Sequence, residues 1–143
     1  MEIVVVVTLI GLLASIAIPS FQRIKLRAVS SNFVSDMRIM EEAFQGYAQE
    51  FGKFPADTAA GVVPTGMDGY IDADRWASAT ALGGNHKWYD AGSYIGIMII
   101  APTASLSELS LIDEWIDDGN VGTGLLLVTG AGSVVLHVME ERT

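Results

Sequence analysis

The chain has 143 residues, enough for one domain with its own core, and half of them are hydrophobic. It carries a formal net charge of −9 and no cysteine, which excludes a thiolate metal site and a cysteine nucleophile and makes a phosphate backbone a poor partner. The acidity is lopsided: residues 1–54 balance five basic against five acidic side chains, whereas residues 55–143 hold three basic and twelve acidic ones.

An acid, Glu2, stands directly before sixteen uncharged residues from Ile3 to Ile18, which are followed by Pro19. A cleaved signal peptide leads with basic residues and soon ends, so the leading carboxylate and the long helix-compatible continuation argue against one. Ala14-Ser15-Ile16-Ala17 is the only cleavage-like pattern. At 1.5 Å per residue the sixteen residues cover roughly 24 Å, a little less than a hydrocarbon core of about 30 Å. Arg23, Lys25 and Arg27 follow directly, although basic flanks prefer the cytoplasmic side.

Beyond Pro19 the apolar residues fall three or four apart: Phe21, Ile24, Ala28, Phe33, Met37, Met40, Phe44, Tyr47 and Phe51. That is one stripe of an amphipathic helix, with Arg23, Arg27, Asp36, Arg38, Glu42 and Gln45 on the other face and Gly52 and Pro55 to end it. Residues 1–51 are therefore expected to form one helix of roughly 75 Å. A helix of that length cannot be covered by so small a domain. Two units follow: an apolar half-helix over 1–19, and a head over 20–143 that includes the amphipathic half-helix 20–51. The first unit must be buried by lipid or by copies of itself.

The acid, the aliphatic run, Gly11 and the closing Ala17-Ile18-Pro19 resemble the mature N-terminus of the type IV pilin superfamily, which includes the pseudopilins of type II secretion. Glu2, Gly11 and Pro19 match that pattern with one constant offset and no gap, over about twenty residues. The resemblance implies a basic leader and a few mature residues, starting with an N-methylated phenylalanine, ahead of Met1. A leader of that kind would have supplied the cytoplasmic charge. It also implies that Glu2 sets subunit register by pairing with the terminal amine of a neighbouring subunit, since a carboxylate at membrane depth is costly when unpaired. The residues themselves equally allow an interfacial acid in headgroup water. Ile3, Val4, Val5, Val6, Val7, Leu9, Ile10, Leu12, Leu13, Ile16 and Ile18 would pack the filament core. Helix between Gly11 and Pro19 would partly melt on assembly, because glycine and proline both weaken a helix interior; a simple kink at Pro19 is the plainer expectation.

In the head, residues 52–93 read as a glycine- and proline-rich connection, with Tyr70, Trp76 and Trp88 anchoring it to the helix stripe. Tyr94–Ile100 reads as a buried strand ended by Pro102. Ser105 and Glu108 form a capping box ahead of a short helix with Leu106, Leu109, Ile112 and Ile116 on one face, stopped near Gly119. Leu125–Val128 and Ser133–Met139 read as two strands around Gly130-Ala131-Gly132. The expected class is α+β, a pilin fold with one long N-terminal helix on a small antiparallel sheet. The stretch Ile112–Gly124 also resembles a segment of cysteine-free pilin-like and type II secretion proteins.

Asp113, Glu114, Asp117 and Asp118 crowd a helix C-terminus, where the dipole disfavours anions, and they form like-charge pairs at i,i+4. A Ca²⁺ ion held by Asp113, Asp117 and Asp118 with loop carbonyls would relieve this. A solvated turn whose aspartates bond backbone amides would do so without an ion. His86 and His137 stand far apart, and no serine or glycine motif frames a reaction, so no enzyme is expected.

The resemblance implies a structural subunit of a helical type IV pilus-like filament: a homo-oligomer that passes from the inner membrane, through a pilus or secretion assembly machinery, into a periplasmic or extracellular fibre. A type II secretion pseudopilin is the near alternative. A monomeric, membrane-anchored binding module is the distant one.

Overall fold

The computed structural model of the chain describes residues 2–141, so Met1, Arg142 and Thr143 lie outside the description. A single helix, α1, runs from Glu2 to Phe51 without interruption and holds Pro19 inside it. Fifty residues make it about 75 Å long. Its buried residues are Ser30, Phe33, Met37, Met40 and Phe44, an alternation of three and four that keeps one stripe facing the head. The expected stripe is thus only half used. Phe33 to Phe44 are covered, but Phe21, Ile24 and Ala28 at its lower end stay exposed. The head is too short to reach them, and it meets the helix first at Leu26 and Val29, which are half-buried.

The stripe packs on a four-stranded antiparallel sheet in the order β1-β2-β4-β3, built from β1 (Asn85–Ala91), β2 (Tyr94–Ile100), β3 (Leu126–Thr129) and β4 (Val134–Glu141). Ile95, Ile97 and Ile99 alternate along β2 onto the core face, joined by Leu126 and Val135. β1 and a short helix, α2 (Ala73–Ala77), lie inside the segment expected to be irregular. The correction has a physical cause. In β1, His86 and Trp88 point inward and alternate with the half-buried Lys87 and Tyr89, but the run is only seven residues long and is flanked by glycines. Gly92 lies in the two-residue turn that pairs Ala91 with Tyr94 and closes β1 onto β2. One glycine inside the sheet is needed for contact rather than for a turn: a Cβ on Gly96 would run into the carbonyl of His137 across the β2–β4 pair, where the register shifts by one residue.

Helix α3 (Leu106–Ile116) starts as expected, with the Glu108 amide donating to Ser105 Oγ at 3.3 Å and the Ser105 amide to Glu108 Oε2 at 2.8 Å. Leu109 and Ile112 are buried, whereas Leu106 is exposed. The last two strands are those read from the sequence, moved by one or two residues and joined by a 3₁₀ turn over Gly130–Gly132.

Aromatic rings tie the irregular segment to α1. Phe44 stacks on Trp88 with centroids 3.8 Å apart and meets Trp76 at 5.6 Å. Both indoles are fully buried and each donates to a loop carbonyl, Trp76 to Val62 at 2.9 Å and Trp88 to Pro55 at 2.8 Å. Tyr70 packs edge-on against Tyr47 and donates to Glu50. Phe44→Ala would open a cavity at the centre of this layer, and its expected effect is a loss of about 3–5 kcal/mol in denaturant unfolding of the detergent-solubilised chain.

His86 is 2 % exposed, with Nδ1 3.1 Å from the Trp76 carbonyl, and burial holds its pKa below the usual 6.5. Below that usual value the unfolded chain takes up a proton that the folded one resists, so folding weakens as pH falls through it. Between about pH 7.5 and about pH 5.5 the melting temperature should drop, and His86→Asn should flatten that part of the slope.

Candidate functional site

Two places on the fold carry something other than packing. The first is the lower half of α1. Every large apolar side chain from Ile3 to Ile18 is at least 54 % exposed, and none of the described head residues buries any of them. The helix is long and apolar enough to cross a membrane. Its hydroxyl side chains are satisfied within the helix: Thr8 Oγ1 donates to the Val4 carbonyl at 2.6 Å, Ser15 Oγ to Leu12 at 2.8 Å and Ser20 Oγ to Ile16 at 3.2 Å. That is what a segment in a solvent without hydrogen bonds requires.

Glu2 stands exposed at the far end. The first basic side chain along α1 is Arg23, and twenty-one residues of helix put it roughly 32 Å away. No cationic side chain of α1 can reach that carboxylate. Gly11 faces open space, with nothing within 4 Å of where a Cβ would be. Pro19 leaves the Ser15 carbonyl without its usual helical donor, and the helix continues through it. Gly11 and the large apolar side chains up to Ile18 are therefore brought into no contact by the described part of the head, whereas Pro19 borders a groove lined by Leu82, Thr103 and Leu111.

The second place is the loop after α3. One carboxylate oxygen from each of Asp113, Asp117 and Asp118 lies within 4.8 Å of the others. The sequence pointed to these three, and the structure brings them together. What it adds is the loop that wraps them. The Leu125 amide donates to Asp117 Oδ2 at 2.6 Å, the Asn120 amide to Asp118 Oδ1 at 2.7 Å, and Thr123 Oγ1 to Asp118 Oδ2 at 3.1 Å. Gly124, at φ +85°, passes so close that a Cβ there would strike the Asp117 carboxylate. Asn120, Thr123 and Gly124 lie in the Ile112–Gly124 stretch noted in the sequence, but no role for them was legible there because it depends on a loop closing back on a helix end.

Asp117 and Asp118 thus match the turn whose aspartates bond backbone amides. Asp113 does not. It is fully buried, and neither of its oxygens has a hydrogen-bond partner of good geometry, the Gly119 amide approaching only weakly. Burial, and then the neighbouring Asp118 and Asp117 carboxylates, push its pKa up, while the Gly119 amide opposes the shift. Glu114 is exposed and outside the triad.

The histidines do not meet a reactive partner: His86 serves the Trp76 carbonyl and stacks on the Trp76 ring, and His137 Nε2 lies 3.5 Å from Glu41 Oε2. No protein-family model, curated protein or solved structure matches the chain.

Gly124→Ala tests the wrapping. The expected loss is about 1–3 kcal/mol in unfolding free energy, from backbone strain and a displaced Asp117 carboxylate, with faster hydrogen exchange at the Leu125 amide.

Proposed function

We propose that the chain is a non-enzymatic structural subunit of a helical, pilin-like filament, held in a membrane by its lower half-helix before assembly and bundled with sister helices afterwards. The observation that carries this reading is the bare, continuous half of α1, capped at its far end by a carboxylate with no cation on the same helix in range. The resemblance of Glu2, Gly11 and Pro19 to the type IV pilin pattern supports it, and the long helix on an antiparallel sheet agrees with it. Because the subunit starts in lipid, burying apolar surface against sister helices gains little, and packing and pairing decide the register. Glu2 then acts by remaining costly until a neighbour's amine reaches it.

A pseudopilin of type II secretion fits the same geometry. Genes for an outer-membrane secretin and its exported substrates beside this one would favour it. Glu2→Ala tests the filament reading in cells. Sheared fibre yield should fall about tenfold or more, the equivalent of about 1.4 kcal/mol per subunit, while the subunit persists in the membrane. Unchanged yield and unchanged subunit spacing would sink it, and a single small species on detergent extraction would point to a monomeric binding module.

For the acidic loop the supported ligand is a hard divalent cation such as Ca²⁺, taken by Asp113, Asp117 and Asp118. The residues fit the ion because a fully buried carboxylate without a well-placed partner faces two others, and oxygen donors are what calcium selects. Calcium at about a hundred times its dissociation constant should add about 2.7 kcal/mol to stability in a thermal or denaturant titration. Asp113→Asn should abolish that gain. An equal gain in the variant would leave the loop as a plain turn.

A further inference from the structure

We infer that the base of the head is a docking surface for anionic phospholipid headgroups, formed by Arg23, Lys25 and Arg27 of α1 together with Leu111 and Trp115 of α3. This rests on the reading of the lower half of α1 as embedded in lipid before assembly. From Ile3 to Gln22 the chain has twenty residues without a charge. As helix they span roughly 30 Å, the thickness of a hydrocarbon core. The first charge, Arg23, therefore lies at the core boundary. Arg23 to Arg27 climb roughly 6 Å further, about the depth of one headgroup layer.

The three cations surround the helix. At 100° per residue Arg23 and Arg27 share one side and Lys25 points away from them, and all three are exposed. Apolar side chains stand beside them at the same level: Phe21 is 67 % and Ile24 65 % exposed. The lower face of the head adds more. Leu111 and Trp115 lie one turn apart on α3, and both are exposed. Leu111 lines a groove with Pro19, Arg23 and Lys25, and the Arg27 guanidinium lies 5.6 Å from the centre of the Trp115 ring. Trp115 stands at the upper edge of that layer, beside Arg27 and a groove that continues up α1 past Ser30 and Val34, and cationic side chains with an indole near them are residues a headgroup layer collects.

Charge complementarity selects the occupant. Only eight basic residues occur in the chain, and three of them fall in this one turn of helix. Elsewhere the head is acidic and would be held off an anionic surface. Glu108, in the same groove as Lys25, and the exposed Glu114 next to Trp115 offset part of this charge, and the three cations of α1 leave the base net positive. An anionic lipid would thus hold the head down in one orientation, with its acidic upper surface toward water.

The tryptophans supply the probe. Trp76 and Trp88 are fully buried, and Trp115 is 41 % exposed, so a neutral quencher reads Trp115. The full chain is placed in nanodiscs of phosphatidylcholine alone or of phosphatidylcholine with phosphatidylglycerol, and its fluorescence is titrated with acrylamide, with Trp115→Phe as blank. On going to the anionic disc the quenching constant should fall to about half or less, and high salt should restore it. The Arg23→Gln, Lys25→Gln, Arg27→Gln triple variant should show no such difference. Equal constants in both discs, or a triple variant that behaves like the parent, would overturn the docking and leave the membrane reading intact. Protection that grows with protein concentration in either lipid would give the surface to a second copy and overturn it too. A chain that enters neither disc removes the membrane reading and the docking with it.

Discussion

The fold depends on a mismatch of lengths. A fifty-residue helix meets a head that buries it only from Ser30 to Phe44. Every later property follows from the uncovered remainder. Within the covered part, Phe44 stacked on Trp88 and against Trp76 fixes the helix to the sheet and to the irregular segment at once, through rings and two indole hydrogen bonds. Below it the helix is held by nothing of its own. It must find another environment, and its chemistry narrows the choice: apolar all round, internally hydrogen-bonded, and acidic only at the far end.

Lipid and sister helices satisfy that surface almost equally, and this makes exchange between them feasible. The hydrophobic term largely cancels in such a transfer, so specificity has to come from shape and from the rare polar group. In the filament proposed above, Glu2 would be that group. Its contribution would then be a penalty on wrong registers more than a gain in the right one, since buried ion pairs seldom add net stability. Gly11 and Pro19 are helix-weakening residues, so the segment proposed to enter a bundle would also be the one best able to change its backbone.

The head shows a comparable division between a rigid layer and a strained edge. Its sheet is built from alternating aliphatic residues on strands whose backbone groups pair in the ladders. The loop after α3 instead gathers three carboxylates, one of them sealed from water without a well-placed partner. Natural cores seldom leave such a group unsatisfied, and those that do tend to reserve the place for a ligand or a proton.

Much of this was readable from one sequence. The apolar run, its closing proline and the three-and-four spacing after it determined α1 to within a residue, because helix periodicity over fifty positions is a strong signal. The Ser105–Glu108 box and the short hydrophobic face marked α3, and the glycines around 130–132 placed the last hairpin. The acidic triad was also legible, since like charges on one helix end conflict with its dipole. Other features belonged to the tertiary structure alone. β1 was hidden because seven residues between glycines carry too little periodicity, and its strand identity comes from pairing with β2. How much of the α1 stripe is buried depended on how far the head reaches, and both of its ends, Phe21 and Phe51, stay exposed. The poor pairing of Asp113 required α3 to press it into the core while the Leu125 and Asn120 amides went to Asp117 and Asp118. Local pattern determines what each segment can form. Only packing decides which surfaces are closed and which are left to a membrane, a neighbour or an ion.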